Sequence, residues 1–261
     1  MILLIDAGNT RIKWGVVDAD RSIAEGTLGH EESAGFSRIA AEHRDLRRVF
    51  GANVAGPTVA SDIARALAGL APAPEWLTAS AGSCGVRNRY DNPSQLGADR
   101  WAALIGARAL YRCACLVVNA GTATTVDVLD ADGDFQGGLI LPGEDLMRRA
   151  LAGNTAQLPF ADGEFVRSPR NTADAIRSGC RHAQLGAIER MFREIESMPG
   201  ARCVLSGGAA ARLAGQLAIP CSPVDNLVLK GLAVITHEPA ADDVGRPSRA
   251  AERTIHTRTE E

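Results

Sequence analysis

Two short stretches of the chain carry the residue types of phosphate chemistry. Near the start, Asp6-Ala7-Gly8-Asn9-Thr10 separates one apolar run, Ile2 to Ile5, from a second, Ile12 to Val17, with Lys13 just beyond the turn. Further on, Asn119-Ala120-Gly121-Thr122 interrupts Leu116 to Val118, and the apolar character resumes at Val126, Val128 and Leu129. A tight turn without bulky Cβ atoms lets backbone N–H groups point at an anion, and Thr and Asn side chains add donors. Either turn alone reads more simply as a turn with nothing bound. The repetition, with an acid at Asp6 and a cation at Lys13, favours two hairpins that face across a cleft and hold both ends of a polyphosphate.

The elements that must position these residues also come in two sets. Laying Asp6-Ala7-Gly8 on Asn119-Ala120-Gly121 sets an offset of 113 residues and drops Val16 onto Leu129. Both copies end in acidic turns, Asp18-Ala19-Asp20 and Asp130-Ala131-Asp132-Gly133. Two copies at so long a period indicate two halves of one ancestral unit rather than a solenoid. After the first hairpin, the pattern predicts a strand near Ile23 to Leu28, a helix from about Ser33 to His43, a strand at Arg48 to Val54 and a helix from Thr58 to Leu70. Residues 80–98, rich in Gly, Ser and Asn, read as irregular chain. "ADRWAALIGARALYR" then predicts a helix with Trp101, Leu104, Ile105 and Ala109 on one face.

The second half repeats the scheme with a hairpin over 115–130, a short strand at Phe135 to Leu139 and a helix after Pro142-Gly143. The helix that begins at "NTADAIRSG" has Asn171 as N-cap with Asp174 three residues on, and Ile176, Cys180, Ala183, Ala187, Met191 and Ile195 at spacings of three or four. A strand at Arg202 to Leu205, the turn Ser206-Gly207-Gly208, a helix and a last helix near Leu227 to Ile235 follow. From Glu238 the chain is polar and aperiodic and reads as a disordered tail.

Composition narrows the function. The 261 residues are 46% apolar and 23% charged, as in ordinary globular proteins. A net charge of -3 without a basic stripe lacks the footprint of a nucleic-acid binder. The six cysteines have no zinc-type spacing, and Cys113-x-Cys115 reads as two residues on one side of an apolar strand, so free thiols in a reducing compartment are expected. Met1 leads straight into a strand and no run nears the ~20 apolar residues of a membrane span, so the expected location is cytosolic. The fold is α/β, and hairpins opening each half exclude a purely parallel sheet. Neither GxGxxG nor GxxxxGK[ST] is present; the glycines lie between strand and strand.

In this order, Asp6-x-Gly8-Asn9-Thr10-x-x-Lys13-x-Gly15, "GADRWAALIGA" at 97–107, "GTATTVD" at 121–127, "GGLILPG" at 137–143 and "NTADAIRSG" at 171–179 resemble type III pantothenate kinases over about residues 1–235. The resemblance implies two duplicated ribonuclease-H-like (actin-like) domains with mixed sheets flanked by helices, at 1–112 and 113–237, with 238–261 as the tail. It implies ATP-dependent phosphorylation of pantothenate to 4'-phosphopantothenate, the first step of coenzyme A synthesis, by a homodimer with its site at the subunit interface. Asp6 would then hold Mg2+ directly or through water, with Gly8, Asn9, Thr10 and Lys13 around the phosphates and Gly121 and Thr122 on their other side.

The adenosine end maps to Ser206-Gly207-Gly208, which is equally an ordinary strand-to-helix turn. Asp99 would be the base that takes the hydroxyl proton, although by position alone it is a helix-capping Asp. Arg100 would pair with phosphate or substrate, and Tyr90, Gly97, Ala98 and Thr172 would contact pantothenate. By position alone Tyr90 is a loop aromatic and Thr172 a first-turn residue. Asp127 reads either as an acid behind the site or as a strand-end aspartate.

One position departs from the family pattern. Many members carry Asp where this chain has Asn119, and that carboxylate helps bind an activating K+ or NH4+. Asparagine offers a carbonyl oxygen without charge, so monovalent-cation dependence should be reduced. Two rival functions share the hairpins: a phosphatase or nucleotide hydrolase, which needs a positioned water in place of an alcohol, and a non-catalytic accessory factor for transcription. The intact set Asp6, Lys13, Asp99 and Arg100 argues against the second.

Overall fold

The structure, a computed structural model, describes residues 1–238 apart from 20, 156, 157, 159 and 161. In chain order the strands are β1 (Ile2–Ala7), β2 (Ile12–Asp18), β3 (Arg21–Leu28), β4 (Arg48–Asn53), β5 (Glu75–Trp76), β6 (Gly82–Ser83), β7 (Val86–Asn88), β8 (Cys115–Ala120), β9 (Ala123–Leu129), β10 (Asp134–Pro142), β11 (Arg202–Ser206) and β12 (Cys221–Pro223). The helices are α1 (Gly35–Glu42), α2 (Pro57–Leu67), α3 (Ala98–Leu110), α4 (Glu144–Asn154), α5 (Thr172–Phe192), α6 (Ala210–Ala214) and α7 (Leu227–His237).

The duplication is explicit in the sheets. One has the order β3-β2-β1-β4-β5, and the other contains β10-β9-β8-β11-β12, the same order. Both open with two antiparallel pairs and continue with two parallel ones. The first strands lie 113 residues apart, as read from the sequence, but the second strands do not keep that offset. Val16 pairs with Leu3, and Val128, not Leu129, pairs with Leu116. The second turn is one residue shorter, and in a period-two element one residue decides which face a side chain takes.

Alternation along the strands of both sheets builds three cores. Leu3, Ile5 and Ala7 face outward onto α1 and α2, packing with Phe36, Ile39 and Ile63. Leu4 faces the other way, into a core shared by both halves with Trp101, Leu104, Val117, Val204 and Leu232. Leu116, Val118, Val126 and Val128 form the outer face of the second sheet against Leu185, Ile188 and Phe192 of α5 and Leu213 of α6. Helices α3 and α7 therefore form a middle layer between the sheets. They approach backbone to backbone: a Cβ at Gly106 would come 2.7 Å from the Leu227 carbonyl, and one at Gly231 would overlap the Ala102 carbonyl.

Burial corrects several sequence expectations. In α3 everything from Arg100 to Ala107 is buried and Ala109 is exposed, because a helix between two sheets has little solvent face. In α5 the packed stripe runs through Ile176, Cys180, Leu185, Ile188 and Phe192, while Ala183 is exposed along a cavity. The stretch 80–98 holds the hairpin β6–β7, whose turn places Cys84 at φ 50° and Gly85 at φ 75°, the left-handed pair a tight hairpin needs. β7 pairs with β10, so these residues extend the second sheet.

β10 runs to Pro142 through a bulge at Gly137, longer than its glycines suggest. The short strands β5 and β12 have no counterpart in the sequence reading, and Cys113 precedes β8 rather than lying within it, though both it and Cys115 pack into the shared core. All six cysteines are free thiols. Glu238, where a disordered tail was expected to begin, accepts hydrogen bonds from Ser83 Oγ (2.5 Å) and Cys84 N (2.8 Å); the rest of that stretch lies outside the described residues. No helix among the described residues is long and apolar enough to cross a membrane.

Candidate active site

Two strands and a helix N-terminus aim three carboxylates at one place. Asp6 shares the inner face of β1 with Leu4 and is directly paired with Lys13 on β2. Asp127 on β9 is paired with Val117, which belongs to the shared core, so it too faces the middle layer. Between them begins α3, with Gly97 as N-cap and Asp99 and Arg100 in its first turn. The N-terminal end of a helix favours negative charge, which suits a carboxylate at Asp99.

Arg100 is almost fully buried and forked onto Asp127, Nη2 to Oδ1 2.5 Å and Nε to Oδ2 3.2 Å. Its third donor, Nη1, reaches the Tyr90 hydroxyl at 2.9 Å. Room for the Asp127 carboxylate exists only because residue 138 is Gly; a Cβ there would collide with Oδ1. Tyr90 stacks on Phe135 at 5.2 Å, and its amide is held at 3.1 Å by the buried Asn88. Arg100 is thus committed inside the protein, a partner the sequence reading did not assign to it. Asn88 carried no signal in the sequence, and Gly138 was marked only as part of the Gly137–Gly143 motif, since the reason for each lies in what surrounds it.

The electrostatics follow from burial. Asp6 is pushed up to about 7 by desolvation and by the negative charge of Asp99, with Lys13 opposing. Burial also raises Asp99, although the Arg100 amide donates to its Oδ1 at 2.8 Å and the Arg100 charge pulls it down. Asp127 is pushed up to about 6, again mainly by burial, against its Arg100 partner. Among these three acids and two cations Arg100 is taken up by Asp127, which leaves Asp6 short of positive charge. No cluster of three or more metal-ligating side chains exists among the described residues. Mg2+ takes one or two carboxylates, water and substrate phosphates rather than an all-protein cage, and Asp6, with its unbalanced negative charge, is a carboxylate of the kind it uses.

Above these acids the two turns meet. Thr10 Oγ1 lies 2.6 Å from Thr122 Oγ1. Asn9, Thr10, Gly121 and Thr122 are exposed at the tips, while Gly8 is half-buried. Gly121 N donates to Ala123 O at 3.0 Å, and Gly143 N to Thr122 O at 2.8 Å. The Ser206-Gly207-Gly208 turn lies against the second hairpin, with Gly207 at φ 99° and the Ala209 amide on Ala120 O at 3.0 Å. A Cβ at Gly207 would come 2.7 Å from Asn119 Oδ1. Asn119 is half-buried, so its side-chain oxygen sits between the second hairpin and this turn.

The expected pantothenate residues are not all brought together. Tyr90, Gly97, Ala98, Asp99 and Arg100 cluster around the start of α3. Thr172 begins α5 and lines a separate cavity of about 1140 Å³ between α4 and α5, with Met147, Leu151, Ile176 and Cys180.

Comparison with known proteins agrees with this geometry. A family model described as type III pantothenate kinase matches residues 2–194. The type III pantothenate kinase of Aromatoleum aromaticum is 72% identical over 241 residues, covering 92% of this chain and all of the relative. That of Azoarcus sp. is 57% identical over 244 residues, 93% of each chain. In three dimensions the chain is similar to a Baf family transcriptional activator from Campylobacter jejuni (TM-score 0.56, 19% identity, 90% of this chain and 96% of that one). It is also similar to the activator of 2-hydroxyisocaproyl-CoA dehydratase from Clostridium difficile (TM-score 0.52, 12% identity, 90% and 92%). These structural likenesses establish the fold, an actin-like duplication; the sequence relationships go further, and by them the chain belongs to the type III pantothenate kinase family.

Proposed function

We propose that the protein transfers the γ-phosphoryl group of ATP to the hydroxyl of pantothenate, giving 4'-phosphopantothenate. The observation that carries this reading is the convergence of Asp6, Asp99 and the Arg100–Asp127 pair beneath two turns rich in donors. Phosphoryl transfer runs through a loose transition state, so positioning and charge neutralisation matter most. Gly8, Asn9, Thr10 and Lys13 hold the phosphates from one half, Gly121 and Thr122 from the other, and Ser206-Gly207-Gly208 receives the adenosine. Asp6 would hold Mg2+ directly or through water, and the bound ion would supply neutralisation of the phosphate charge.

Asp99 takes the proton from the acceptor hydroxyl at its carboxylate. Its raised proton affinity brings it towards neutral pH, where a general base works best. Arg100, held at two points by Asp127, keeps its charge fixed beside Asp99 rather than swinging with the substrate. Its role is then to orient and stabilise.

The pantothenate site is completed in a homodimer by the partner's Thr172. In support, Thr172 sits on a cavity apart from Asp99, and the apolar Leu139, Ile140 and Leu146 are exposed. Mixing inactive Asp99→Asn with an inactive Thr172 variant tests this. Recovered activity requires a shared site, and none on mixing would give each chain its own. Monovalent-cation dependence is reduced, because Asn119 offers a carbonyl oxygen without charge. The reaction itself is tested by ADP release from MgATP with and without pantothenate. Release only with pantothenate is the expected result; release without it would make the protein a hydrolase, and no release at all a binding protein.

A further inference from the structure

Each phosphate turn is held from outside by the chain that follows the third strand of its own half. In the second half Gly143, directly after β10, donates its amide to Thr122 O at 2.8 Å. In the first half the equivalent place is the short 3-10 turn His30–Glu32 after β3, fixed by the Gly29 amide on Glu32 Oε2 at 2.7 Å. There His30 Nε2 lies 2.8 Å from Gly8 O. A carbonyl only accepts, so Nε2 carries the hydrogen and donates. The duplicated fold has solved the same problem twice, once with a backbone amide and once with an imidazole.

The geometry points to His30 as a positioning residue for the nucleotide phosphates, an inference that rests on the kinase reading above. The Gly8–Asn9 peptide is trans, so its C=O and N–H point in opposite directions. By fixing the Gly8 carbonyl towards β3, His30 fixes the Asn9 N–H on the side away from it. Among the described residues the amides of Asn9, Thr10 and Arg11 donate to no protein acceptor, whereas Gly8 N is used at 3.2 Å on Arg11 O. Three consecutive turn amides without a protein acceptor are donors available to phosphate oxygens. Without His30 the first peptide of that set can rotate, and the donors must be ordered at the moment of binding. His30 touches no reacting atom.

The test compares His30→Ala with His30→Gln, whose amide can still donate to Gly8 O. MgATP affinity is measured by calorimetry, kinetics with each substrate, and melting temperature. Loss of one ordering hydrogen bond predicts a three- to tenfold weaker MgATP Kd and a matching rise in KM for MgATP in the alanine variant. KM for pantothenate should stay unchanged, and the glutamine variant should recover most of the loss. Unchanged MgATP affinity in the alanine variant would overturn the inference. So would equal impairment of both variants in step with a lowered melting temperature, which would make His30 a fold-holding residue only. Binding is read without turnover, so an absence of pantothenate-dependent ADP release would sink the kinase reading while the calorimetry still judged His30.

Discussion

Arg100 and Asp127 form a two-point ion pair in which the arginine comes from the first turn of α3 and the aspartate from β9, with almost no water reaching either. Removing one member of such a pair leaves a buried charge alone, at about 3–5 kcal/mol. Asp127→Ala should therefore lower stability by that amount in denaturant unfolding. Asp127→Asn, which keeps the shape and one acceptor, should cost less while still reducing kcat. Equal unfolding midpoints for native protein and Asp127→Ala would show that the pair carries no such weight.

Asp99→Asn should keep the fold and bind MgATP normally, since the proposed function assigns Asp99 to the acceptor. Turnover should drop by roughly 10²–10⁴, the usual contribution of a positioned base. Calorimetric MgATP binding beside a pantothenate-dependent ADP assay checks both halves of the statement. Turnover within a few-fold of native would remove Asp99 from that role.

The raised Asp6 makes a pH-dependent prediction for the protein without nucleotide. Its folded-state pKa, about 7, lies above the ordinary 3.8, so the folded state keeps a proton that the unfolded chain gives up. Ionised Asp6 thus burdens the fold fully above pH 7, less as the pH falls through 7, and not at all below about 4. Asp6→Asn removes the burden and should melt roughly 5 °C above native protein at pH 8, with the two converging near pH 4. A variant that melts lower than native at pH 8 contradicts the assignment.

Restoring a charge at 119 should restore cation dependence. Native protein should turn over in potassium and in sodium buffer at rates within roughly twofold, while Asn119→Asp should favour potassium by roughly tenfold. The side-chain oxygen already sits between the second hairpin and the Gly207 turn, so the substitution changes charge and little else. Identical activation curves for the two proteins would argue against the reading.

The duplication and most of the elements were legible because hairpin strands with one buried face alternate plainly, and the two turns repeat the same small residues. The slip of one residue between the second strands was not, because a turn length leaves no mark on the apolar pattern. β6 and β7 were hidden for a related reason: a hairpin closed by two left-handed residues has the composition of a loop. Asp6 and Lys13 stood out by type and spacing, whereas Asp99 and Arg100 were marked only by the family resemblance. His30 and Asn88 did not stand out, since each matters through backbone partners that the pattern does not reveal, Gly8 O for the first and Pro93 O with the Tyr90 amide for the second, and the Gly137–Gly143 motif did not show that Gly138 makes room for Asp127.

The glycines at 106 and 231 let α3 and α7 touch along bare backbone. Helices that mesh side-chain ridges into grooves resist sliding, and at these two glycines no side chain stands between α3 and α7 to resist it. The middle layer can therefore act as a plain bearing between two plates, permitting the small shear that domain closure uses elsewhere. Across the mouth, a lone hydroxyl pair at Thr10 and Thr122, with a net strength of about 1 kcal/mol, is the latch that such a rocking motion must release. Nucleotide can be admitted and product let go while both outer cores stay packed.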